Sequence, residues 1–285
     1  MDFGAEQAHR DPSTNEGWAE TMKKIFLVGA SVFALGMGSA MAGNESEVFQ
    51  ADTSNTATVS QTQAGAAGND SLVDQGGQRG SVFVEQVGSG NISDAIQQAA
   101  ARDGIITVNQ SGSANTSDVI QGEVKKIGVH ASRAEVDQTG DSNEALIRQG
   151  TASTFERYNG TIEQVGNTNL ATIYQSATVG GAGRMTSSRA SIFQNGNDNE
   201  AVTEQYPTGS IGNGLGSGNN SDTQQLGDGS YASVSQAGGG NSSTVQQDVV
   251  AGGVGHFAQV TQIGNGHDSM VSQIGSGHSV TVTQN

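Results

Sequence analysis

From Asn44 to the C-terminus the chain repeats one short alternation of small, aliphatic and polar residues. The unit is seven residues long: Asn, Ser, Gly or His first, Ala or Ser third, Val or Ile fifth, Gln seventh, and free positions between. Its terminal glutamines are Gln50, Gln61, Gln75, Gln86, Gln97, Gln110, Gln121, Gln138, Gln149, Gln164, Gln175, Gln194, Gln205, Gln225, Gln236, Gln247, Gln262, Gln273 and Gln284, which makes nineteen segments. A period of two is the strand period, in which successive side chains point to opposite faces. In Ser132-Arg133-Ala134-Glu135-Val136-Asp137-Gln138 the small and aliphatic residues share one face and the charges take the other. Ser188 to Gln194 divides the same way apart from Phe193. The segment before Gln164 keeps only Ile162, and Thr203 and Thr223 stand in aliphatic slots. The pattern predicts short strands with one narrow packed face and one face in water.

The connections have a signature too. Gln164 to Gln175 and Gln138 to Gln149 both read Gln-x-Gly-x-x-Asn-x-Ala-x-Ile-x-Gln, and the same frame fits Gln86–Gln97, Gln110–Gln121, Gln194–Gln205 and Gln236–Gln247. Glycine follows the glutamine region at Gly65, Gly77, Gly88, Gly112, Gly140, Gly166, Gly196, Gly227, Gly238, Gly264 and Gly275. Glycine takes positive φ without steric cost. A four-residue turn is therefore expected, arching from one sheet to another.

Many steps between glutamines are eleven residues, and the rest range up to twenty. If alternate segments lie on opposite sheets, the constant arcs (Gln86–Gln97, Gln110–Gln121, Gln138–Gln149, Gln164–Gln175, Gln194–Gln205, Gln225–Gln236) share one edge. The variable arcs Gln121–Gln138, Gln175–Gln194 and Gln205–Gln225 share the other. Insertions on one edge are the mark of a stacked repeat. The expected fold is all-β: a two-sheet β-solenoid, a cross-β stack of strand-arch-strand repeats. Two strands per turn give nine and a half turns, a rod on the order of 45 Å at about 4.8 Å per strand.

The candidate functional residues are buried amides. In register, each donates to the amide above and accepts from the one below, as in cross-β ladders. A buried amide without a partner costs roughly 1–3 kcal/mol, so such a ladder fixes register. The predicted ladder comprises Gln86, Asn91, Gln97, Gln110, Asn115, Gln121, Gln138, Asn143, Gln149, Gln164, Asn169, Gln175, Gln194, Asn199, Gln205, Gln236, Asn241, Gln247, Gln262, Gln273 and Gln284, with turn glycines Gly88, Gly112, Gly140, Gly166, Gly196, Gly238, Gly264 and Gly275.

Composition sharpens this picture. Glycine is 42 of 285 residues, aromatics are 5% and the hydrophobic fraction is 33%. A globular domain usually runs nearer 45–50% apolar, so a conventional core is hard to build. Only a regular arrangement that pairs its polar groups separates this chain from disorder. There is no cysteine, and the prolines are Pro12 and Pro207. The net charge is -16, and after Met41 the lysines are Lys125 and Lys126, so no basic stripe invites nucleic acid.

Met22-Lys23-Lys24, the apolar run Ile25 to Leu35 and the ending Ala40-Met41-Ala42 have the three parts of a secretory signal peptide. The run is too short for a membrane span. Residues 1–21 read as a non-native N-terminal extension, 22–42 as the signal peptide and 43–285 as the repeat solenoid. Cleavage after Ala42 leaves a charge of -14, because residues 1–42 hold five acids and three bases. The mature chain then has no membrane span.

These residues resemble the curlin repeat, written Ser-x5-Gln-x-Gly-x2-Asn-x-Ala-x3-Gln. Gln86, Gly88, Asn91, Ser93 and Gln97 match its second half with Ser for Ala; Gln138, Gly140, Asn143, Ala145 and Gln149 match it, as do Gln164, Gly166, Asn169, Ala171 and Gln175. The resemblance covers roughly residues 44–285. It implies a bacterial extracellular, cell-surface fibre of the curli type, a functional amyloid with roles in adhesion and biofilm matrix. It also implies self-association into a homopolymer, a minor nucleator subunit and an outer-membrane export channel as partners. The chain departs from the family in its larger number of repeats and in how little lies between Gly43 and the first segment, Asn44 to Gln50, where a targeting stretch is usual.

Other chemistry is scarce. His256, His267 and His278 recur every eleven residues in the first slot of a segment. A metal site, a pH-sensitive assembly step and simple replacement of Asn all remain open for them. No carboxylate pair recurs at fixed spacing, no Lys follows the Gly-rich stretch 212–220, and no cofactor motif is present, so no enzyme is expected. From residue 225 the acids and bases reduce to Asp228, Asp248 and Asp268, whereas 123–204 carry many charges that act as gatekeepers. Residues 225–285 are therefore expected to nucleate assembly and 123–204 to assemble slowly. The alternative to a fibre subunit is a monomeric β-solenoid surface adhesin or binding module.

Overall fold

A computed structural model of the chain describes residues 31–33, 43–98, 101–122, 129–150, 156–176, 186–207 and 218–285. The expected extension 1–21 and signal segment 22–42 lie outside the described residues except for Ser31–Phe33. Every regular element among the described residues is a β-strand, and each of the nineteen segment glutamines lies in one. Consecutive segments alternate between two sheets. One sheet has ten strands, from Glu45–Gln50 and Asp70–Gln75 through to Phe257–Ile263 and Ser279–Gln284. The other runs from Thr56–Gln63 to Asp268–Gly275 and also takes in the short strands Ser31–Phe33, Ala101–Arg102 and Val129–His130.

All strand pairs are parallel and keep equivalent slots in line: Val136 pairs with Ile162, Ile162 with Ile192, and Gln138 with Gln164. Parallel strands need a crossover connection. Here the strand of the opposite sheet is that crossover. Both sheets turn their small and aliphatic residues inward, so Val136, Ile147, Ile162, Ile173 and Ile192 are buried. Space between the sheets is narrow, which is why Ala and Ser alternate with Val and Ile.

Residues 99–100, 123–128, 151–155, 177–185 and 208–217 all connect a strand of the ten-stranded sheet to the next strand of the other. The longest arcs, Gln121–Gln138, Gln175–Gln194 and Gln205–Gln225, thus share one edge, while Gln61–Gln75 and Gln247–Gln262 lengthen the opposite one. Pro207 follows the strand Glu200–Tyr206 on this edge, outside the ladder. Val129–His130 pairs with Ala101–Arg102 and with Glu156, a small extension of the sheet that the repeat pattern does not contain.

The glycine corner differs from expectation. Gly88, Gly112 and Gly140 lie within strands and pair with one another rather than sitting in a four-residue turn. The chain bends at these glycines while its ladder continues. Gly77 has no positive φ and Gly65, at +159°, is close to extended, so the two earliest glycines do not make this corner.

Candidate functional site

Two unbroken glutamine ladders run through the interior. In one sheet Gln61 donates its Nε2 proton to Gln86 Oε1, Gln86 to Gln110, and so on through Gln138, Gln164, Gln194, Gln225 and Gln247 to Gln273, every step 2.8–2.9 Å. In the other, the series runs from Gln50 through Gln75, Gln97, Gln121, Gln149, Gln175, Gln205, Gln236 and Gln262 to Gln284, at 2.7–3.0 Å. A primary amide has two protons. The second is given to the first strand residue of the facing sheet: Gln138 to Thr116 O, Gln164 to Glu144 O, Gln194 to Leu170 O. A glutamine bonded in this way ties its own sheet along the axis and the two sheets across it. A shorter or apolar side chain does neither.

Asparagines form corner columns. Asn91, Asn115, Asn143, Asn169 and Asn199 stack on the edge of constant arcs, together with Asn69. From Asn69 to Asn169 the Oδ1 of each accepts both the backbone N–H and the side-chain Nδ2 of the next asparagine; Asn143 Oδ1, for instance, receives Asn169 N at 3.0 Å and Nδ2 at 3.1 Å. The remaining Nδ2 proton goes to the corner glycine of the next rung: Asn115 to Gly140 O, Asn143 to Gly166 O, Asn169 to Gly196 O. This is the reason for glycine. A methyl on Gly140 would lie 1.9 Å from Gly166 O, and Gly140 has φ +118°.

Asn241 does not join this column. Its partners are Asn219 below and His267 above, on the opposite edge, because the strand before it, Tyr231–Ala237, belongs to the ten-stranded sheet. The predicted amides thus fall into two glutamine ladders and two corner columns rather than one series.

Three kinds of residue escape the frame. Tyr158 occupies the first slot of the weak segment and is fully buried, with Gly160 in the small slot beside it. Asn69 and Asn219 lie outside the Gln-x-Gly-x-x-Asn frame, yet each stands six residues before a segment glutamine, which is the spacing that identifies them. Thirdly, the residue just before the corner asparagine adopts left-handed backbone: Ala114 at φ 56°, Ser142 at 58°, Thr168 at 54° and Asp198 at 56°. Its sequence signal is glycine in the same slot at Gly90, Gly229, Gly240, Gly266 and Gly277.

The small slot is not uniform. Ser71, Ser93 and Ser117 stack in one column and their buried hydroxyl oxygens have no hydrogen-bond partner among the described residues. Further along the same column Ala145, Ala171, Ala201 and Ala232 take their place. On the outside of this part of the sheet Glu45, Glu47, Asp70 and Asp94 line a shallow depression. Partial burial pushes the Asp94 carboxyl above its ordinary value, and the neighbouring Asp70 charge adds to the shift. No group of three or more His, Cys, Asp or Glu among the described residues is arranged to hold a metal ion. Nor is any described helix long and apolar enough to cross a membrane.

Comparison with known proteins gives one finding. The family model of the curlin associated repeat matches residues 257–285, the stretch holding the last three segment strands. The resemblance to the curlin family is shown there. No curated protein and no solved structure matches the chain.

Proposed function

We propose that the chain is a secreted structural subunit that polymerises with copies of itself into extracellular curli-like fibres serving adhesion and biofilm matrix. The observation that carries this reading is the continuity of the two glutamine ladders from one end of the stack to the other. Nothing in a ladder of identical amides distinguishes a rung within one molecule from a rung between two. The first and last strands of the ten-stranded sheet, Glu45–Gln50 and Ser279–Gln284, have inward residues only half covered. Open parallel edges are templates for further strands. The reading takes residues 22–42 as the signal for export, with an outer-membrane channel and a minor nucleator as further partners. The role is structural rather than catalytic.

The test is assembly itself. Residues 43–285, desalted from denaturant, should give a sigmoidal rise in thioflavin fluorescence and fibre diffraction at about 4.8 Å and about 10 Å. A soluble, monomeric, β-rich species at high concentration would reject the fibre and favour the adhesin reading. Peptides from 225–285 should assemble with a shorter lag than peptides from 123–204.

A further inference from the structure

On the edge of constant arcs the corner column runs Asn44, Asn69, Asn91, Asn115, Asn143, Asn169, Asn199, Ser230, His256, His278. At each step a backbone N–H donates to the side chain one rung earlier. At every step but the last the acceptor is an amide or hydroxyl oxygen. At the last it is a ring nitrogen: His278 N–H donates to His256 Nδ1 at 3.1 Å. The two rings are stacked, 5.1 Å between centroids and 8° from parallel, and His256 is 2% exposed.

The tautomer of His256 follows from its partners. Its Nε2 lies 3.1 Å from the carbonyl oxygen of Asp248, which can only accept. Nε2 therefore carries the proton and Nδ1 keeps the lone pair that receives His278 N–H. A second proton has one place to go, Nδ1. There it removes the acceptor, sets one N–H against another, and puts charge in a corner closed to water. A proton on His278 as well would leave two parallel cations stacked.

Little around the ring could offset that charge. The strands Tyr231–Ala237 and Phe257–Ile263 contain no acid or base, and Ser279–Gln284 none. Ser242–Val249 contributes Asp248, whose side chain takes an outward position. Asp228, in the turn below, already accepts Asn197 N–H and Nδ2. Asp268 and His267 belong to the opposite edge, where His267 Nε2 bonds Ile263 O.

We infer that His256 is a proton-operated latch on the strand Ser279–Gln284. The neutral ring holds the strand against its neighbour Phe257–Ile263, and protonation releases it. The bond exists only with the neutral ring. Its contribution is present while the ring is neutral and lost once Nδ1 takes a proton. The latch stands on the fold alone; its consequence, that acid slows growth at this edge, rests on the fibre reading.

Amide hydrogen exchange of the purified full-length chain tests the latch, at about pH 7.5 and about pH 5, with rates corrected for intrinsic pH dependence. Amides of His278 and Ser279–Gln284 should lose roughly tenfold or more of their protection at the lower pH, while Ala134–Gln149 keeps its own. His256→Asn should abolish the difference, since an amide oxygen fills the slot as it does at Asn199. His278→Asn should retain it, because the acceptor ring is still present. Protection in the natural chain that ignores pH, or the same loss in His256→Asn, would overturn the inference. Thioflavin growth is followed separately: a chain that shows the pH response but never forms fibres refutes the fibre reading and leaves the latch standing.

Discussion

Gln138 and Gln164 are 26 residues apart in sequence, and the Nε2 of the first donates to the Oε1 of the second at 2.9 Å. Gln164 in turn gives its protons to Gln194 Oε1 and Glu144 O. One side chain thus satisfies a rung on each side and the facing sheet. Gln164→Leu fills the space but strands Gln194 Oε1 and one proton of Gln138. It should lower stability by roughly 2–4 kcal/mol, because each buried polar atom left unpaired costs about 1–3 kcal/mol. Gln284→Leu, at the half-exposed end of its ladder, should cost under about 1 kcal/mol, since water replaces the lost partner. Urea unfolding midpoints of the two variants give the comparison.

Glycines of two kinds should respond differently to one methyl. At Gly140 the added Cβ meets a backbone carbonyl at 1.9 Å, and the carbonyl is held in place by Asn143. Gly140→Ala should cost roughly 4 kcal/mol or more and block folding of the stack. At Gly266, φ +72°, nothing lies within 4 Å. Gly266→Ala should cost only the left-handed backbone penalty, about 1–2 kcal/mol. Circular dichroism melts distinguish the two.

Ala114 has φ 56° and is exposed. Ala114→Gly removes the penalty of a Cβ in left-handed backbone and restores the residue found in that slot at Gly90 and Gly266. The gain exceeds the extra chain entropy glycine brings, and stability should rise by about 0.5–1 kcal/mol. A melting temperature unchanged or lowered would contradict this account of the corner.

Ser93 is buried with an unpaired hydroxyl, between Ser71 and Ser117. Ser93→Ala puts the residue of the later rungs into the same column. Removing a buried unsatisfied oxygen should stabilise by about 1 kcal/mol, read as an increase in urea midpoint without a change in slope.

Asp94 stands beside Asp70 with its carboxyl pushed upward by burial and by that charge. A raised acid is penalised while ionised, so the cost is present at neutral pH and disappears as pH falls through its titration. Asp94→Asn should therefore be more stable than the natural chain at pH 7, by a fraction of a kcal/mol after solvent screening, and equal to it in acid. Added salt should shrink the neutral-pH difference.

Much of the site was legible because a one-dimensional stack repeats its environment. An inward slot recurs in rung after rung, so Gln at the seventh position marks the inner face nineteen times over, and Ala or Ser at the third marks it in most segments. Tyr158 was not legible: a large buried ring stands in a first slot that other segments give to Asn, Ser, Gly or His. The left-handed residue before the corner asparagine was hidden for a related reason. Ala114, Ser142, Thr168 and Asp198 carry no turn signal of their own, and only their alignment with Gly90 and Gly229 reveals the backbone they adopt.

The sequence by itself determined the strands, their inward faces and the alternation between two sheets, because period-two patterning and constant arcs depend only on neighbours along the chain. Tertiary structure decided what those neighbours could not. It placed Asn241 on the opposite edge from Asn143, since the column an amide joins is set by which sheet its strand enters. It gave Gln164 partners on two sheets, and it aimed a ring nitrogen of His256 at the backbone of His278, 22 residues away. Hydrogen bonds along the stack axis connect residues whose separation varies with every inserted loop, so their partners emerge only when the rungs are laid on one another.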